Sequence, residues 1–252
     1  MDLGLRGKTA VISGGTKGIG SGIAEVLAEE GCNLVLVHRS DPGRAADFAR
    51  ELVDKNGVGV LRIHADVTDA SLIDDIFDSA NKRFGQTDIL INNAAGGGVQ
   101  KPLDEMTIDE WNDAMKGCLS HVFTMSSRFI RDCRRDKRGG HIVNVLAKAA
   151  ITTNSHNNTS YIAAKGGMTS MTRSMANDLI DDGIYVNGIV PGYVLNNSGY
   201  QPGLPAYIAK EKFLRVGWAT PRDMGNVAAF LCSSRARQVI GAIVDCSGGT
   251  ML

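Results

Sequence analysis

The 252-residue sequence lacks any apolar run that could cross a membrane, because nowhere do about 18 apolar residues follow one another. Its first residues, MDLGLRGKTAVISGG, contain no apolar core of the length that a signal peptide needs. It also has no excess charge of one sign, since lysine plus arginine and aspartate plus glutamate number 27 each. We therefore expect a cytoplasmic protein with no nucleic-acid partner and no membrane partner.

Cysteine is sparse and scattered. The five cysteines lie at positions 32, 118, 133, 232 and 246, and no two of them form a CxxC pair. This distribution argues against a disulfide framework and offers no ligand spacing typical of zinc. We expect reduced thiols and no metal site.

The sequence does contain a regular alternation of short apolar, β-branched runs with segments of helical spacing. The runs predict strands over 9–14, 33–38, 58–66, 88–95, 141–147, 184–190 and 242–248. Helices are predicted over 22–31, 43–57, 69–85 and roughly 107–135, around Tyr161, and near 221–233. Continuous apolar strands that alternate with helices indicate a parallel sheet buried on both faces. The predicted fold is therefore α/β, a single domain over 1–252 with a doubly wound parallel sheet of the Rossmann type and helices on both faces.

Two stretches stand apart from this alternation. Residues 195–215 contain Gly and Pro but no strand, and we interpret them as a substrate loop within the domain. The basic cluster RFIRDCRRDKR (128–138) is interpreted as the solvated C-terminal end of a long helix, where cations favour the helix dipole.

A glycine-rich turn joins the first strand to the first helix. The segment SGGTKGIGSG (13–22) has the spacing G-x3-G-x-G, which differs from the commonest dinucleotide fingerprint. Its glycines allow close approach of the backbone to a ligand, and the helix N-terminus offers free N–H groups to an anion. We expect it to bind a nucleotide through Gly14, Thr16, Lys17, Gly18, Ile19 and Gly20.

The end of the second strand indicates which nucleotide binds. An NAD site usually has an acidic residue about 20 residues after the glycines, where it bonds the ribose 2′-OH. Here His38 stands at that position and Arg39 follows, while Lys17 lies inside the glycine loop. Two cations suit a 2′-phosphate, so we expect NADP(H) as the cofactor.

Four motifs in order resemble the short-chain dehydrogenase/reductase family, and the resemblance covers essentially the whole chain. They are SGGTKGIG, NNAA after the fourth strand, Tyr161-Ile-Ala-Ala-Lys165, and VNGIVPG (186–192). The segments DEWNDAMKGCLSHVF (109–123) and PRDMGNVAAFLCSS look most like those of 3-oxoacyl-[acyl-carrier-protein] reductase-like members. The resemblance implies a small-molecule substrate, with Tyr161 as the general acid of a carbonyl reduction. It further implies that Lys165 lowers the pKa of Tyr161 and holds the nicotinamide ribose.

The same resemblance assigns further cofactor contacts. Asp66 and Val67 match positions that meet the adenine, and Asn93, Ala94 and Ala95 match the stretch beside the ribose. Pro191, Gly192 and Val194 match the stretch beside the nicotinamide. Asn196 stands where the family often has a threonine that bonds the carboxamide.

The chain departs from the family pattern at two catalytic positions. Ala147 stands where a serine usually polarises the substrate carbonyl, and Cys118 stands where an asparagine usually anchors a proton-relay water. Three interpretations are open. In the first, a nearby donor replaces the serine, and the candidates are Lys148, Thr152, Thr153, Ser155 and His156. In the second, the enzyme reduces an activated C=C bond, as an enoyl reductase does, and in the third the chain binds NADP(H) as a sensor or partner subunit with little catalysis.

Apolar residues on two helices predict self-association. Met115, Leu119, Met168, Met171 and Met175 exceed what one sheet face needs, although methionine also fills monomer cores. The family resemblance implies that these helices pair across a two-fold axis, so we expect a homotetramer or, failing that, a dimer.

Overall fold

A seven-stranded parallel sheet forms the centre of the protein, as the sequence predicts. The structure is a computed structural model, and it describes residues 2–96, 98–152, 155–195 and 218–249. The strand order is β3-β2-β1-β4-β5-β6-β7, and every pairing is parallel. The strands are β1 Thr9–Ser13, β2 Asn33–His38, β3 Val60–His64, β4 Ile89–Asn92, β5 Gly140–Val145, β6 Ile184–Pro191 and β7 Ile243–Cys246.

Helices cover both faces of this sheet, which confirms the doubly wound arrangement. They are α1 Gly18–Glu29, α2 Pro42–Asn56, α3 Ile73–Phe84, α4 Ile108–Met115, α5 His121–Arg135, α6 Ala149–Thr152, α7 Thr159–Leu179 and α8 Pro221–Leu231. Neighbouring residues of β1 show how the layers form, because successive side chains of a strand point to opposite faces. Ala10 and Ile12 join the core beneath α1 and α8, whereas Val11 joins the core beneath α3, α5 and α7.

The long helix predicted over 107–135 is interrupted. Between α4 and α5 the backbone forms a π-helical turn, Lys116–Ser120. Such turns insert one extra residue per turn and often mark functional sites. Apolar spacing did not indicate the turn, because Ala114, Cys118 and Val122 are all buried on the continuing face.

The prediction that the basic cluster 128–138 is solvated is wrong for its first arginine. The Arg128 side chain is only 9% exposed, and its guanidinium pairs with Asp74, Asp78 and Asp132. The cluster therefore begins with an ion-pair network that ties α3 to α5. No helix among the residues that the structure describes is both long and apolar enough to span a membrane.

Candidate active site

A cleft of about 880 Å³ lies at the carboxyl edge of the sheet. It opens where the chain order reverses, because β1 has β2 on one side and β4 on the other. Open α/β sheets bind their ligands at this position. The wall includes ten residues that the sequence assigns to the cofactor: Gly14, Thr16, Lys17, Gly18, Arg39, Asp66, Val67, Asn93, Ala94 and Ala95.

The glycine loop provides an anion cradle at one wall of the cleft. Gly14 and Gly18 have φ values of +65° and +53°, a conformation that glycine adopts without strain. A Cβ atom at Gly20 would lie 2.2 Å from the Gly14 carbonyl oxygen, so only glycine permits this turn. Lys17 begins α1 without a side-chain cap, which leaves the first-turn amides to bind an anion. These features fit a dinucleotide pyrophosphate.

Asn93 holds this loop to the sheet. Its Nδ2 donates to the carbonyl oxygens of Ser13 and Gly14 at 3.0 and 3.1 Å. The Ser13 hydroxyl in turn accepts from the backbone N–H groups of Asn93 and Ala94. Asn93 therefore positions the phosphate loop, in addition to lying in the cleft wall.

Three cations, Lys17, Arg39 and Arg44, lie in the wall of the cleft on the side of β2. Arg39 pairs with Asp66 at 3.1 Å. Burial raises the pKa of Asp66, but hydrogen bonds from Thr68 and Arg39 outweigh it and hold that pKa below its usual value. Asp66 stays ionised and orients Arg39 beside the cleft. His38, which replaces the acid of an NAD site, has its pKa lowered by burial and adds no charge near neutral pH.

The Tyr161–Lys165 pair lies on α7, beside the end of β5. Lys165 Nζ donates to the Val145 carbonyl oxygen at 2.8 Å and approaches Met168 Sδ at 3.6 Å, rather than bonding the phenol. Burial lowers the pKa of Lys165 to about 8. Burial, with a smaller contribution from Cys118, raises the pKa of Tyr161 to about 12. Lys165 is not among the groups that shift the pKa of Tyr161 in this structure, so the expected lowering of that pKa by Lys165 stays a prediction.

The end of β6 supplies the last group of expected contacts. Pro191 closes the strand, and a Cβ atom at Gly192 would lie 2.8 Å from Ser247 Cα, so the backbone there packs closely against the end of β7. Val194 bridges to Ala219. Asn196, and all of the expected substrate loop 195–215 except Leu195, lie outside the described residues.

The two departures from the family pattern are both buried. Ala147 is 8% exposed and brings no donor to the end of β5. Cys118 is fully buried in the π-helical turn, and its Sγ donates to the Gly96 carbonyl oxygen at 3.2 Å. The thiol therefore connects the turn to the rim of the cleft, and its effect on the pKa of Tyr161 indicates that it lies near the phenol.

Several residues near the cleft escaped the sequence analysis. Arg44 and Ser40 follow β2, while Asp113 and Lys116 face the cleft from α4 and the π-helical turn. Arg44 could have been found, because it lies in the first turn of the helix that follows Arg39. Lys116 carried no such signal. The described residues contain no cluster of His, Cys, Asp or Glu that could hold a metal ion.

Comparison with known proteins agrees with this geometry. A family model described as enoyl-(acyl carrier protein) reductase matches residues 14–251. The 3-oxoacyl-[acyl-carrier-protein] reductase of Vibrio harveyi is 32% identical over 252 residues, covering 98% of each chain. The 3beta-hydroxysteroid dehydrogenase 1 of Eggerthella lenta is 33% identical, covering 98% of this chain and 95% of its own.

A solved structure is similar over the whole chain. L-Sorbose reductase from Gluconobacter frateurii, crystallised with NADPH and L-sorbose, superposes with a TM-score of 0.90 at 31% identity, covering 100% of this chain and 99% of that one. The similarity thus extends over nearly the whole chain in sequence and in fold. The chain therefore belongs to the short-chain dehydrogenase/reductase family of oxidoreductases.

Proposed function

We propose that the protein is an NADPH-dependent reductase of a carbonyl compound. The observation that carries the proposal is a cleft with a glycine cradle and three cations in its wall, in a chain that also holds a half-buried Tyr161 one helical turn from the buried Lys165. Similar proteins are named as reductases or dehydrogenases, and L-sorbose reductase was crystallised with NADPH. NADPH supplies a hydride to the carbonyl carbon when it is bound.

The chain's own residues bind the cofactor, donate the proton and stabilise the charge that this leaves. The glycine loop binds the pyrophosphate, while Lys17, Arg39 and Arg44 neutralise the 2′-phosphate. Tyr161 Oη donates its proton to the substrate oxygen as negative charge develops there. Lys165 supplies positive charge near the phenolate that this transfer leaves, which stabilises it. Burial of Lys165 and partial burial of Tyr161 strengthen this electrostatic effect, because less water screens it.

A substrate panel separates this proposal from its two rivals. Purified protein is mixed with NADPH and with ketones, 3-oxoacyl thioesters, quinones and enoyl thioesters, and NADPH absorbance is followed. We expect turnover of carbonyl compounds. Turnover of enoyl thioesters alone would instead favour the C=C reductase, with which the description of the matching family model agrees. Tight NADPH binding without any turnover would favour a sensor or partner subunit.

We expect Arg39→Ala to weaken NADPH binding about tenfold or more and to leave NADH binding nearly unchanged, because a charge-assisted hydrogen bond contributes about 1.5–3 kcal/mol. Fluorescence titration with both cofactors measures the effect. Arg50→Ala is the control, because Arg50 is an exposed arginine of α2 that pairs with Asp47. Equal affinity of the wild type for NADPH and NADH would contradict the assignment.

We expect kcat/KM for NADPH to fall as the pH rises through about 8. Below its pKa Lys165 is an ammonium that stabilises the Tyr161 phenolate, and above it this charge is lost. Arginine does not titrate in this range, so Lys165→Arg should remove this alkaline loss at a lower absolute rate. An identical alkaline limb in both proteins would show that another group titrates.

Self-association stays a proposal, and the structure changes which residues could contact a partner. Met168 is fully buried in the chain's own core, so it is not available to a partner, whereas Phe123 on α5 is 62% exposed. Light scattering at micromolar concentration should give the mass of a tetramer or a dimer, and Phe123→Asp should lower it. Val53→Asp on α2 is the matched control. A monomeric wild type would end the proposal.

A further inference from the structure

Lys148 lies where the ends of two neighbouring strands meet. The backbone N–H of Leu146 donates to the Ile189 carbonyl oxygen at 2.8 Å, so the pairing of β5 with β6 continues just past Val145. Lys148 follows two residues later. Its ammonium lies 5.0 Å from the centre of the ring of Tyr193, two residues after the end of β6. The charge is therefore held at the carboxyl edge of the sheet, between the ends of β5 and β6.

Tyr161 is anchored to the same strand end. The hydrogen bond from Lys165 Nζ to the Val145 carbonyl oxygen fixes α7 against the end of β5, and Tyr161 lies one helical turn from Lys165. Ala147 occupies the chain between Val145 and Lys148 and offers no hydrogen-bond donor. The proposed acid and the Lys148 ammonium thus both lie next to the position that lacks a hydroxyl.

The other candidate donors are less suited to this position. The Thr152 hydroxyl donates to the Lys148 carbonyl oxygen at 3.3 Å. Ser155 lies eight residues after Ala147, in the turn before α7, where its hydroxyl oxygen accepts from Asn158 Nδ2 at 3.4 Å, and His156 is exposed. Thr153 lies outside the described residues. Of the candidates that the structure describes, Lys148 has a charged donor group held at the strand ends.

Tyr193 can hold this charge without cancelling it. A cation over an aromatic ring gains about 0.5–2 kcal/mol from the ring quadrupole, and the ring carries no net charge. Trp218 meets the Tyr193 ring edge-on at 6.1 Å, which supports the ring in this orientation. The Tyr193 ring therefore orients the Lys148 ammonium, and Trp218 in turn orients the ring.

We propose that Lys148 is the electrophilic donor that replaces the missing serine, so that its ammonium hydrogen-bonds the substrate carbonyl oxygen. The proposal rests on the proposed reductase function. Hydride from the reduced nicotinamide, which is oxidised, adds to the carbonyl carbon, and the C=O π electrons move to oxygen. Lys148 stabilises this negative charge and keeps its protons, while the Tyr161 proton moves to the oxygen and gives the alcohol.

The test uses three variants of the full chain. Lys148→Met keeps the length of the side chain and removes its charge, and we expect kcat on carbonyl substrates to fall about 10²–10³-fold, as for loss of one oxyanion donor. NADPH affinity should stay unchanged, and the thermal midpoint should fall by no more than the few degrees that loss of the contact with Tyr193 costs. The double variant Ala147→Ser/Lys148→Met should recover much of this rate, because a hydroxyl returns to the vacant position. Ala147→Ser alone is the reference for the double variant, because it measures what the added hydroxyl does while the Lys148 ammonium is present.

A second readout does not depend on turnover. The absorbance of para-dimethylaminocinnamaldehyde moves to longer wavelength when its carbonyl oxygen accepts a hydrogen bond from a strong donor. With NADP⁺ and wild-type protein we expect this shift, with Lys148→Met we expect it to vanish, and with the double variant we expect it to return. A shift that depends on Lys148 in a protein that reduces no carbonyl compound would support the donor assignment and overturn the reductase.

The opposite results overturn the donor assignment. If Lys148→Met retains both turnover and the absorbance shift, Lys148 is not the donor and the reductase stands. If the rate and the shift are lost but serine at position 147 restores neither, Lys148 acts on another part of the substrate. Neither turnover nor shift in the wild type would overturn both proposals.

Discussion

Tyr161→Phe should lower carbonyl turnover by about 10²–10⁴-fold, the range expected when a general acid is removed. The change deletes one hydroxyl and keeps the ring that packs beside Gly98. NADPH binding should stay within about twofold, because the glycine cradle and the three cations contribute the larger part of the dinucleotide affinity. Stopped-flow absorbance of NADPH and a separate fluorescence titration measure the two quantities.

Tyr185→Phe is the matched control for this experiment. Tyr185 lies at the opposite end of β6, where its ring contacts that of His141 at 5.4 Å, and it is far along the strand from the carboxyl edge. We expect its loss to change turnover by less than about twofold. If Tyr161→Phe leaves turnover intact, the Tyr–Lys assignment is wrong and α7 only packs against the cofactor site.

The phosphate end of the candidate site could be predicted because its chemistry is local. Gly14, Gly18 and Gly20 are required by backbone conformation and by close approach, and both requirements are visible in a single stretch of sequence. Lys17 and Arg39 could also be predicted as cofactor contacts, because each lies next to a predicted strand or helix. Lys116 could not be found in this way, because the chain returns to the cleft from α4 and only the tertiary fold brings it there.

The electrostatics of Tyr161 and Lys165 show a different limit. Their spacing along α7 predicted a pair, but not the hydrogen bond that draws Lys165 to the Val145 carbonyl oxygen. Burial then moves the pKa of Tyr161 up and that of Lys165 down. Burial depends on neighbours far away in sequence, so spacing on one helix cannot give the direction of either shift.

The sequence predicted which segments form strands better than it predicted where strands and helices begin and end. Continuous apolar runs identified all seven strands, since a parallel sheet is buried on both faces. The third run was predicted over 58–66, whereas the strand spans Val60–His64. The first helix begins at Gly18 rather than at residue 22, because its opening glycines carry no apolar periodicity.

Arg128 shows why the polar part of a core is hard to predict. Its charge suggested a solvated face, but Asp132 one turn later in α5 and two acids on α3 surround the guanidinium. Burial alone would lower the pKa of Arg128, and hydrogen bonds from its guanidinium to Asp78 and Asp132 raise it instead. The residue contributes to stability only while these partners are present.

Asp132→Asn should therefore lower the free energy of unfolding by about 3 kcal/mol, the lower part of the range for breaking a buried ion pair. The Asp132 carboxylate is 2% exposed and accepts hydrogen bonds from Arg128 Nε at 3.1 Å, Arg135 Nη1 at 2.9 Å and Asn81 Nδ2 at 3.0 Å. An amide NH2 in place of one carboxylate oxygen removes an acceptor and turns a donor towards these donors. Arg128 still pairs with the carboxylates of Asp74 and Asp78, so we expect a loss of stability at the lower end of this range.

The thermal midpoint measures this loss, and it should fall by about 10 °C, since about 1 kcal/mol shifts a chain of this size by roughly 2–4 °C. Asp74→Asn is the matched control. The Asp74 side chain also pairs with Arg128 but is 66% exposed, so its loss should cost less than about 1 kcal/mol. Arg128→Met/Asp132→Leu should regain much of the stability, because well-packed apolar side chains can replace a buried pair. Equal midpoints for Asp132→Asn and Asp74→Asn would show that burial adds nothing to the strength of this network.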